Sequence, residues 1–243
     1  MAKNIAVIFA GGVGVRMHHN DLPKQFIEIN GKPIIIHTLD HFDLHPEIDA
    51  IVIACVKEWM DYLQELIQKH HINKVRKIVP GGSCSQLSIY EGLLAAEEIA
   101  EEGSIVLIHD GVRPLINAKL ISDNLVSVKA HGSAITSSKA TETFLLVDEN
   151  SNEIVSIPSR NRSSVAKAPQ SFYLADILKA HRRALSEEKT DFIDCCSMMQ
   201  YYHYPLYLVD GPHENIKITT IDDLYMMKAF LDVRKEKGLN GEQ

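Results

Sequence analysis

The chain has 243 residues, 45% hydrophobic and 23% charged, an ordinary globular composition long enough for one large α/β domain with a sizeable core. Its net charge of −7 and lack of a basic tail exclude duplex nucleic acid as an expected partner, while local cationic sites for small anions stay open. There is no signal-like stretch and no apolar run of about 18 residues, so a soluble cytoplasmic protein without a membrane span is expected.

The first element, NIAVIFA (4–10), is a continuous apolar run ending in Gly11-Gly12, the pattern of a buried parallel strand. KPIIIHTLDHFDL (32–44) opens on proline and continues with helical spacing, and AIVIACV (50–56) is a second buried strand. In EWMDYLQELIQKHHI (58–72), Trp59, Leu63, Leu66 and Ile67 share one helical face. RKIVPGG reads as a strand entering a glycine turn, and SQLSIYEGLLAAEEIAEE (85–102) as a helix rich in Ala, Leu and Glu. SIVLIHDGVRP (104–114) is a further buried strand ending on charged residues, and AKLISDNLVSVKAHG (118–132) a helix stopped by His131-Gly132.

Strands and helices alternate to residue 132, which predicts an α/β fold with a mostly parallel sheet and helices on both faces. Such sheets bind ligands beyond the C-terminal strand ends. Three loops belong there: Gly11–Arg16, Gly81–Ser85 and His109–Arg113. The helical period stops at about residue 133. TFLLVDENSNEIVSI reads as a hairpin around Asp148–Asn152, so an arm is expected at about 136–160 within a single domain over 1–243, offering a dimer contact. Helices resume at 174–188 and 192–202. PLYLVDG is a strand, NIKITT is extended, and a last helix runs from Asp222, with Thr220 or Asp222 as its cap.

Cys55, Cys84, Cys195 and Cys196 form no CxxC pair, and adjacent Cys195 and Cys196 suit a disulfide poorly, so reduced thiols are expected. Twelve histidines are scattered and HExxH does not occur, leaving a histidine zinc site unsupported.

AGGVGVRM is neither a Walker loop nor a dinucleotide fingerprint. It is either a plain strand-to-helix turn or an anion cradle in which glycines let backbone N–H groups approach a phosphate. Arg16 and Lys24, with Pro23 fixing the backbone before the lysine, suit a polyphosphate. Asp110 and Arg113 in HDGVRP form either a loop-shaping pair or a site where one carboxylate holds a nucleotide's divalent metal. Lys217 in NIKITT needs an anion, either a substrate phosphate or Asp110. RNRSSVAKAPQSF, with Arg160, Arg162 and Lys167, reads equally as a solvated loop.

In this order, AGGVGVRM, LPKQF, GKPIIIHTL, PGG with the following SI and GL, HDGVRP, APQSF and ENIKITTIDDL resemble the polyol-phosphate cytidylyltransferases. These comprise the 2-C-methyl-D-erythritol 4-phosphate and ribitol-5-phosphate enzymes, and the matching segments span residues 7 to about 224. The resemblance implies a Rossmann-like sheet with a protruding β-arm, a homodimer through the arms, CTP and a small polyol phosphate as substrates, and Mg²⁺ as cofactor. It implies that Ala10, Gly11, Gly12 and Gly14 cradle CTP, with Gly82 and Ser88 beside the cytosine. Arg16, Lys24 and Lys217 are the implied catalytic cations, with Asp110 the implied Mg²⁺ ligand. Asp110, Arg113, Thr143, Arg160 and Lys217 are implied to line the acceptor site. This chemistry needs no activated serine or cysteine, because the acceptor phosphate is already nucleophilic; positioning and charge suffice.

Ser85 stands where the family carries arginine, Ala168 where it carries the threonine of TPQ, and Glu142-Thr143 where it reads Asp-Thr. IPSR and IDCC, with Asp194 and Cys196, lean toward the ribitol-5-phosphate branch, with methylerythritol phosphate the alternative acceptor. A non-catalytic nucleotide-binding relative is a reading from another class, opposed by the retained Arg16, Lys24, Asp110, Arg160 and Lys217. An NAD-dependent oxidoreductase lacks its GxGxxG.

Overall fold

The computed structural model describes residues 1–11, 22–236 and 238. A seven-stranded sheet organises the chain, in the order β11-β7-β10-β6-β1-β4-β5. These strands are β1 (Asn4–Ala10), β4 (Ala50–Cys55), β5 (Val75–Pro80), β6 (Ile105–Asp110), β7 (Ser133–Lys139), β10 (Ser164–Tyr173) and β11 (Leu208–Asp210). Strand β10 runs antiparallel to both β6 and β7, and every other pairing is parallel. The small pairs β2 (Glu28–Ile29) with β3 (Lys32–Pro33), and β8 (Leu146–Val147) with β9 (Ile154–Ser156), lie outside the sheet.

The continuous apolar strands are explained by burial on both faces. Along β1, Ala6, Ile8 and Ala10 enter one core, with Leu39 of α1 (Ile34–Asp43), Leu63 of α2 (Met60–Lys69) and Leu125 of α4 (Ala118–His131). Ile5 and Val7 enter the other, with Leu93 of α3 (Ser85–Glu97), Ile177 of α5 (Leu174–Ser186) and Met198 of α6 (Cys195–Tyr201). The expected helices on both faces are therefore present. A third cluster joins Ile34, Val112, Leu115 and Ile218 to Met227 of α7 (Ile221–Glu236).

Local signals set the element ends. Pro33 precedes α1, and Gly132, at φ 85°, closes α4 in the left-handed conformation that glycine adopts readily. Asp194 and Ser197 form a capping box on α6, and Thr220 with Asp223 does the same at α7, settling the cap on Thr220. Trp59 lies in a 3-10 turn just ahead of α2, and α3 ends at Glu97, short of its expected end.

Beyond residue 132 the chain stays in the sheet longer than the lost helical period suggests. Strand β7 reaches Lys139 before the excursion begins, and β10 starts at Ser164 on the return. Between them β8 and β9 form the expected hairpin, turned by Asp148, whose Oδ1 accepts from the Asn150 and Ser151 amides at 2.9 Å. NIKITT joins no strand of the sheet, and backbone bonds from Asn215 N to the Pro212 carbonyl and from Ile216 N to that of Glu214 turn the chain at its start. All four cysteines are free thiols, and among the described residues no helix is long and apolar enough to cross a membrane.

His181 on α5 is buried against Tyr90, ring centroids 5.7 Å apart, and neither ring nitrogen has a hydrogen-bond partner among the described residues. Burial lowers its pKa to about 4, from an ordinary 6.5. The unfolded ring thus binds a proton first, so the contribution of this site to stability is complete above pH 6.5 and falls as the pH drops toward 4. In urea unfolding, His181→Leu is expected to lose about 2 kcal/mol less stability than wild type between pH 7 and pH 5. An equal loss in both proteins would show that the ring does not titrate this way.

Candidate active site

Two clefts open along the C-terminal ends of the parallel strands, where ligands of such sheets bind. One, of about 350 Å³, is lined by Ala10, Gly11, Lys24, Gly82, Ser85 and Ser88, among others. The other, of about 250 Å³, is lined by Arg113, Lys167, Gln170 and Asp194 together with Ile193 and Cys195. They share Phe9, Ser85, Asp110 and Lys217, so they meet over the Asp110 carboxylate.

The wall of the first cleft is a close backbone packing. A Cβ on Gly11 would stand 2.8 Å from Ser88 Oγ, and one on Gly82 only 2.4 Å from Leu87 Cβ. Ser88 is buried, and its hydroxyl lies 2.9 Å from the Cys84 carbonyl and 3.2 Å from that of Gly82. Its single proton is thus committed to the loop backbone, and Ser88 braces the cleft wall. Lys24 opens a 3-10 turn after Pro23. Phe26 anchors that turn in the core against Trp59 and Tyr62, and Gln25 Nε2 donates to the Ala10 carbonyl at 3.0 Å. Strand end and lysine turn are thereby tied together. Gly12, Gly14 and Arg16 lie outside the described residues.

At the junction, Asp110 Oδ1 receives Lys217 Nζ at 2.6 Å and Oδ2 receives Arg113 Nε at 3.1 Å. Burial alone would raise the Asp110 pKa, but Arg113 and then Lys217 outweigh it and hold the carboxyl below its ordinary value. Of the two partners expected for Lys217, the structure shows Asp110, and the lysine also lines both clefts. The β6–α4 turn holding the carboxylate is pinned from several sides. Gly111 N donates to the Phe9 carbonyl at 3.0 Å and Thr38 Oγ1 to that of Gly111 at 3.1 Å. His109 Nε2 contacts the Arg113 carbonyl at 2.9 Å, and His41 Nε2 that of Pro114 at 3.0 Å. Burial lowers the pKa of His109 to about 3 and of His41 to about 4, so both rings are neutral donors at physiological pH.

Long-range contacts bring the remaining lining into place. Ile218 N donates to the Val112 carbonyl at 2.9 Å, laying residues 212–219 along the same turn. Arg113 also reaches the Asn215 carbonyl, and Asn215 Nδ2 the Ala168 carbonyl, both at 2.8 Å. Gln170 Nε2 donates to Asp194 Oδ2 and its Oε1 accepts from Cys196 N, both at 2.8 Å. The β10 register against β7 shifts between Ala166 and Gln170, which leaves Lys167 to Pro169 off the ladder beside the cleft. Gln25, Asn215 and Gln170 carried no sequence signal of their own beyond membership of the LPKQF, ENIKITT and APQSF segments, because their partners are distant in the chain.

Among the described residues each Asp110 oxygen has one partner, Arg113 or Lys217, so this carboxylate could hold a divalent cation whose further ligands a nucleotide's phosphates would supply. Among the described residues no group of three or more His, Cys, Asp or Glu gathers for a metal. Burial raises the Cys55 and Cys196 thiols to about 11, so they are no nucleophiles at neutral pH.

Thr143 and Arg160 are not brought into either cleft. Both are exposed on the arm excursion, Arg160 in a 3-10 turn, because the chain leaves the sheet after β7 and returns only at β10. The same excursion exposes Phe144, Leu145, Leu146, Val147, Ile154, Val155 and Ile157.

Comparison with known proteins gives the chain a family and relatives of similar length. The family described as IspD, 2-C-methyl-D-erythritol 4-phosphate cytidylyltransferase, matches residues 4–233. A ribitol-5-phosphate cytidylyltransferase from Streptococcus agalactiae serotype III is 52% identical over 98% of this chain and 99% of its own. A 2-C-methyl-D-erythritol 4-phosphate cytidylyltransferase from Clostridium botulinum is 34% identical over 96% and 99%. The crystal structure of 4-diphosphocytidyl-2C-methyl-D-erythritol synthase from Anaerococcus prevotii superposes with a TM-score of 0.82 at 27% identity, covering 95% of this chain and 96% of that one.

Proposed function

This chain belongs to the IspD family of cytidylyltransferases, and on that premise we propose that it transfers CMP from CTP to D-ribitol 5-phosphate, giving CDP-ribitol and pyrophosphate. The observation that carries the reaction type is the meeting of two clefts over one buried carboxylate flanked by cations. Two anionic substrates placed there face each other across Asp110 and Lys217. The choice of acceptor rests on the 52% identity to a ribitol-5-phosphate enzyme against 34% to a methylerythritol-phosphate enzyme.

In this reading the first cleft holds CTP against the wall that Gly11, Gly82 and Ser88 form by close packing. The second holds the polyol phosphate. An acceptor phosphate oxygen attacks the α-phosphorus of CTP, a new P–O bond forms, and the bond to the β-phosphate breaks as pyrophosphate leaves. Lys24 and Arg16 stabilise the charge that grows on the α-phosphate, while Lys217 and Arg113 offset the repulsion between the two anions. Asp110 would hold Mg²⁺, which supplies further neutralisation of the nucleotide phosphates.

The arm completes this reading. Seven large apolar side chains exposed on one excursion mark an interaction surface, and a second copy of this chain fits it. Thr143 and Arg160 would then reach an acceptor cleft from the arm of the other copy. A cytoplasmic setting suits the free thiols.

With CTP, Mg²⁺ and a panel of polyol phosphates, pyrophosphate release is expected with ribitol 5-phosphate and at least tenfold less, by kcat/KM, with methylerythritol phosphate. The opposite preference overturns the acceptor assignment, and no release with any acceptor favours a non-catalytic relative. Lys24→Ala should lower kcat by about 10²-fold or more; near-normal turnover would remove its role. Val155→Asp with Ile157→Asp should convert a dimer to a monomer in light scattering and raise KM for the acceptor while leaving KM for CTP unchanged. A wild-type monomer at micromolar concentration would rule out the arm as a dimer contact.

A further inference from the structure

Three cations line the acceptor-side cleft: Arg113, Lys217 and Lys167. The first two share the Asp110 carboxylate. Asp194, the other acid in the lining, already accepts from Gln170 Nε2 and from the Ser197 amide at 2.8 Å each. Lys167 has a different environment. Among the described residues its ammonium bonds only carbonyl oxygens, that of His213 at 2.9 Å and that of Pro212 at 3.3 Å.

An ammonium carries three N–H donors, so these two bonds leave one uncommitted. Burial and then the positive charge of Arg113 lower the pKa of Lys167, with Glu214 opposing them. This charge therefore sits half-buried beside other cations, without a carboxylate of its own. A lysine in that position gains most from a mobile anion entering the cleft. The backbone places it there: Lys167 lies where the β10 ladder is interrupted, and the two carbonyls from residues 212–213 fix its head group. It lines the second cleft and not the first, so the anion it meets is on the acceptor side.

We infer that Lys167 binds the phosphate group of the acceptor, as a third cation beside Arg113 and Lys217. This rests on the cytidylyltransferase reading and adds a residue to it. Its ammonium supplies a charge-assisted hydrogen bond and part of the neutralisation that a phosphate dianion requires before it can approach CTP.

The test uses the full chain with CTP, Mg²⁺ and ribitol 5-phosphate, and compares wild type with Lys167→Met, Lys167→Gln and Lys167→Arg. Lys167→Met is expected to raise KM for ribitol 5-phosphate about 10–100-fold, with kcat and KM for CTP changed less than about threefold. Lys167→Gln keeps a donor for the two carbonyls but no charge, and should show the same acceptor-specific loss. Lys167→Arg should recover most of the affinity. If KM for ribitol 5-phosphate is unchanged in the Met and Gln variants, the inference is overturned. It is equally overturned if both KM values rise together in Met and Gln restores them, which would mark Lys167 as a brace between β10 and residues 212–213. Should wild type prefer another polyol phosphate, the acceptor assignment fails while the same comparison, run on that phosphate, decides Lys167. A wild type inactive with every acceptor overturns both.

Discussion

Asp110 is a buried carboxylate held by two cations that arrive from different parts of the chain, Arg113 three residues away and Lys217 more than a hundred. A lone ionised carboxylate at that depth would be expelled or protonated. Here the opposing effects are burial, which favours the neutral acid, and the paired positive charges, which win. The consequences run in both directions. The carboxylate holds the guanidinium and the ammonium, which would otherwise repel each other, within reach of one point. The cations keep that point ionised and leave the surroundings positive overall. Residues 212–219 owe their path to the same clamp, since Ile218 bonds the Val112 carbonyl and Asn215 links Arg113 to Ala168.

A charge arrangement of this kind works only on a rigid support. The β6–α4 turn gets its support from neutral groups: the Thr38 hydroxyl and the His41 and His109 rings, each on a main-chain carbonyl. The histidines are useful because they do not titrate near neutral pH; burial keeps them uncharged, so they add no further positive charge beside Arg113. The opposite cleft wall is rigid for a steric reason. Gly11, Gly82 and Ser88 pack so closely that no side chain fits at the glycines, and the Ser88 hydroxyl is spent on the loop itself. Preorganisation of this sort suits a reaction whose main obstacle is bringing two polyanions together.

What was legible in the sequence follows the range of the forces involved. Strands β1, β4 and β6 could be read because burial on both sheet faces forces unbroken apolar runs, whereas the edge strand β5, VRKIVP, was legible from its apolar positions and the glycine turn after it. The helix stop at Gly132 is local chemistry and was readable for that reason; the cap of α7 was narrowed to Thr220 or Asp222, and the bonds to Asp223 decide for Thr220. Strand β7 was not, since SAITSSK is rich in small polar residues; Thr136, Ser137 and Ser138 are buried by pairing with β10 and by Asn124, contacts that no local pattern encodes. Asn215 and Gln170 escaped for the same reason, being polar residues whose meaning lies in partners far along the chain. The segment RNRSSVAKAPQSF was ambiguous as composition, and the structure divides it. Arg160 and Arg162 stay exposed, whereas Lys167 turns up in the cleft lining.

That division separates the two halves of the site by origin. The first cleft takes most of its lining from the ends of β1 and β6, the loops after β1 and β5 and the start of α3. The second cleft shares Phe9, Ser85, Asp110 and Lys217 with the first and is completed by an interrupted antiparallel strand and the start of α6. Of the residues special to it, Lys167, Ala168, Gln170 and Ile193 lie outside the parallel strands. Ala168 and Lys167 occupy that interrupted stretch, while Ile193 and Asp194 occupy the entry to α6. The strand motifs therefore point to the reaction more readily than to the acceptor, because residues special to the second cleft reach it through long-range contacts.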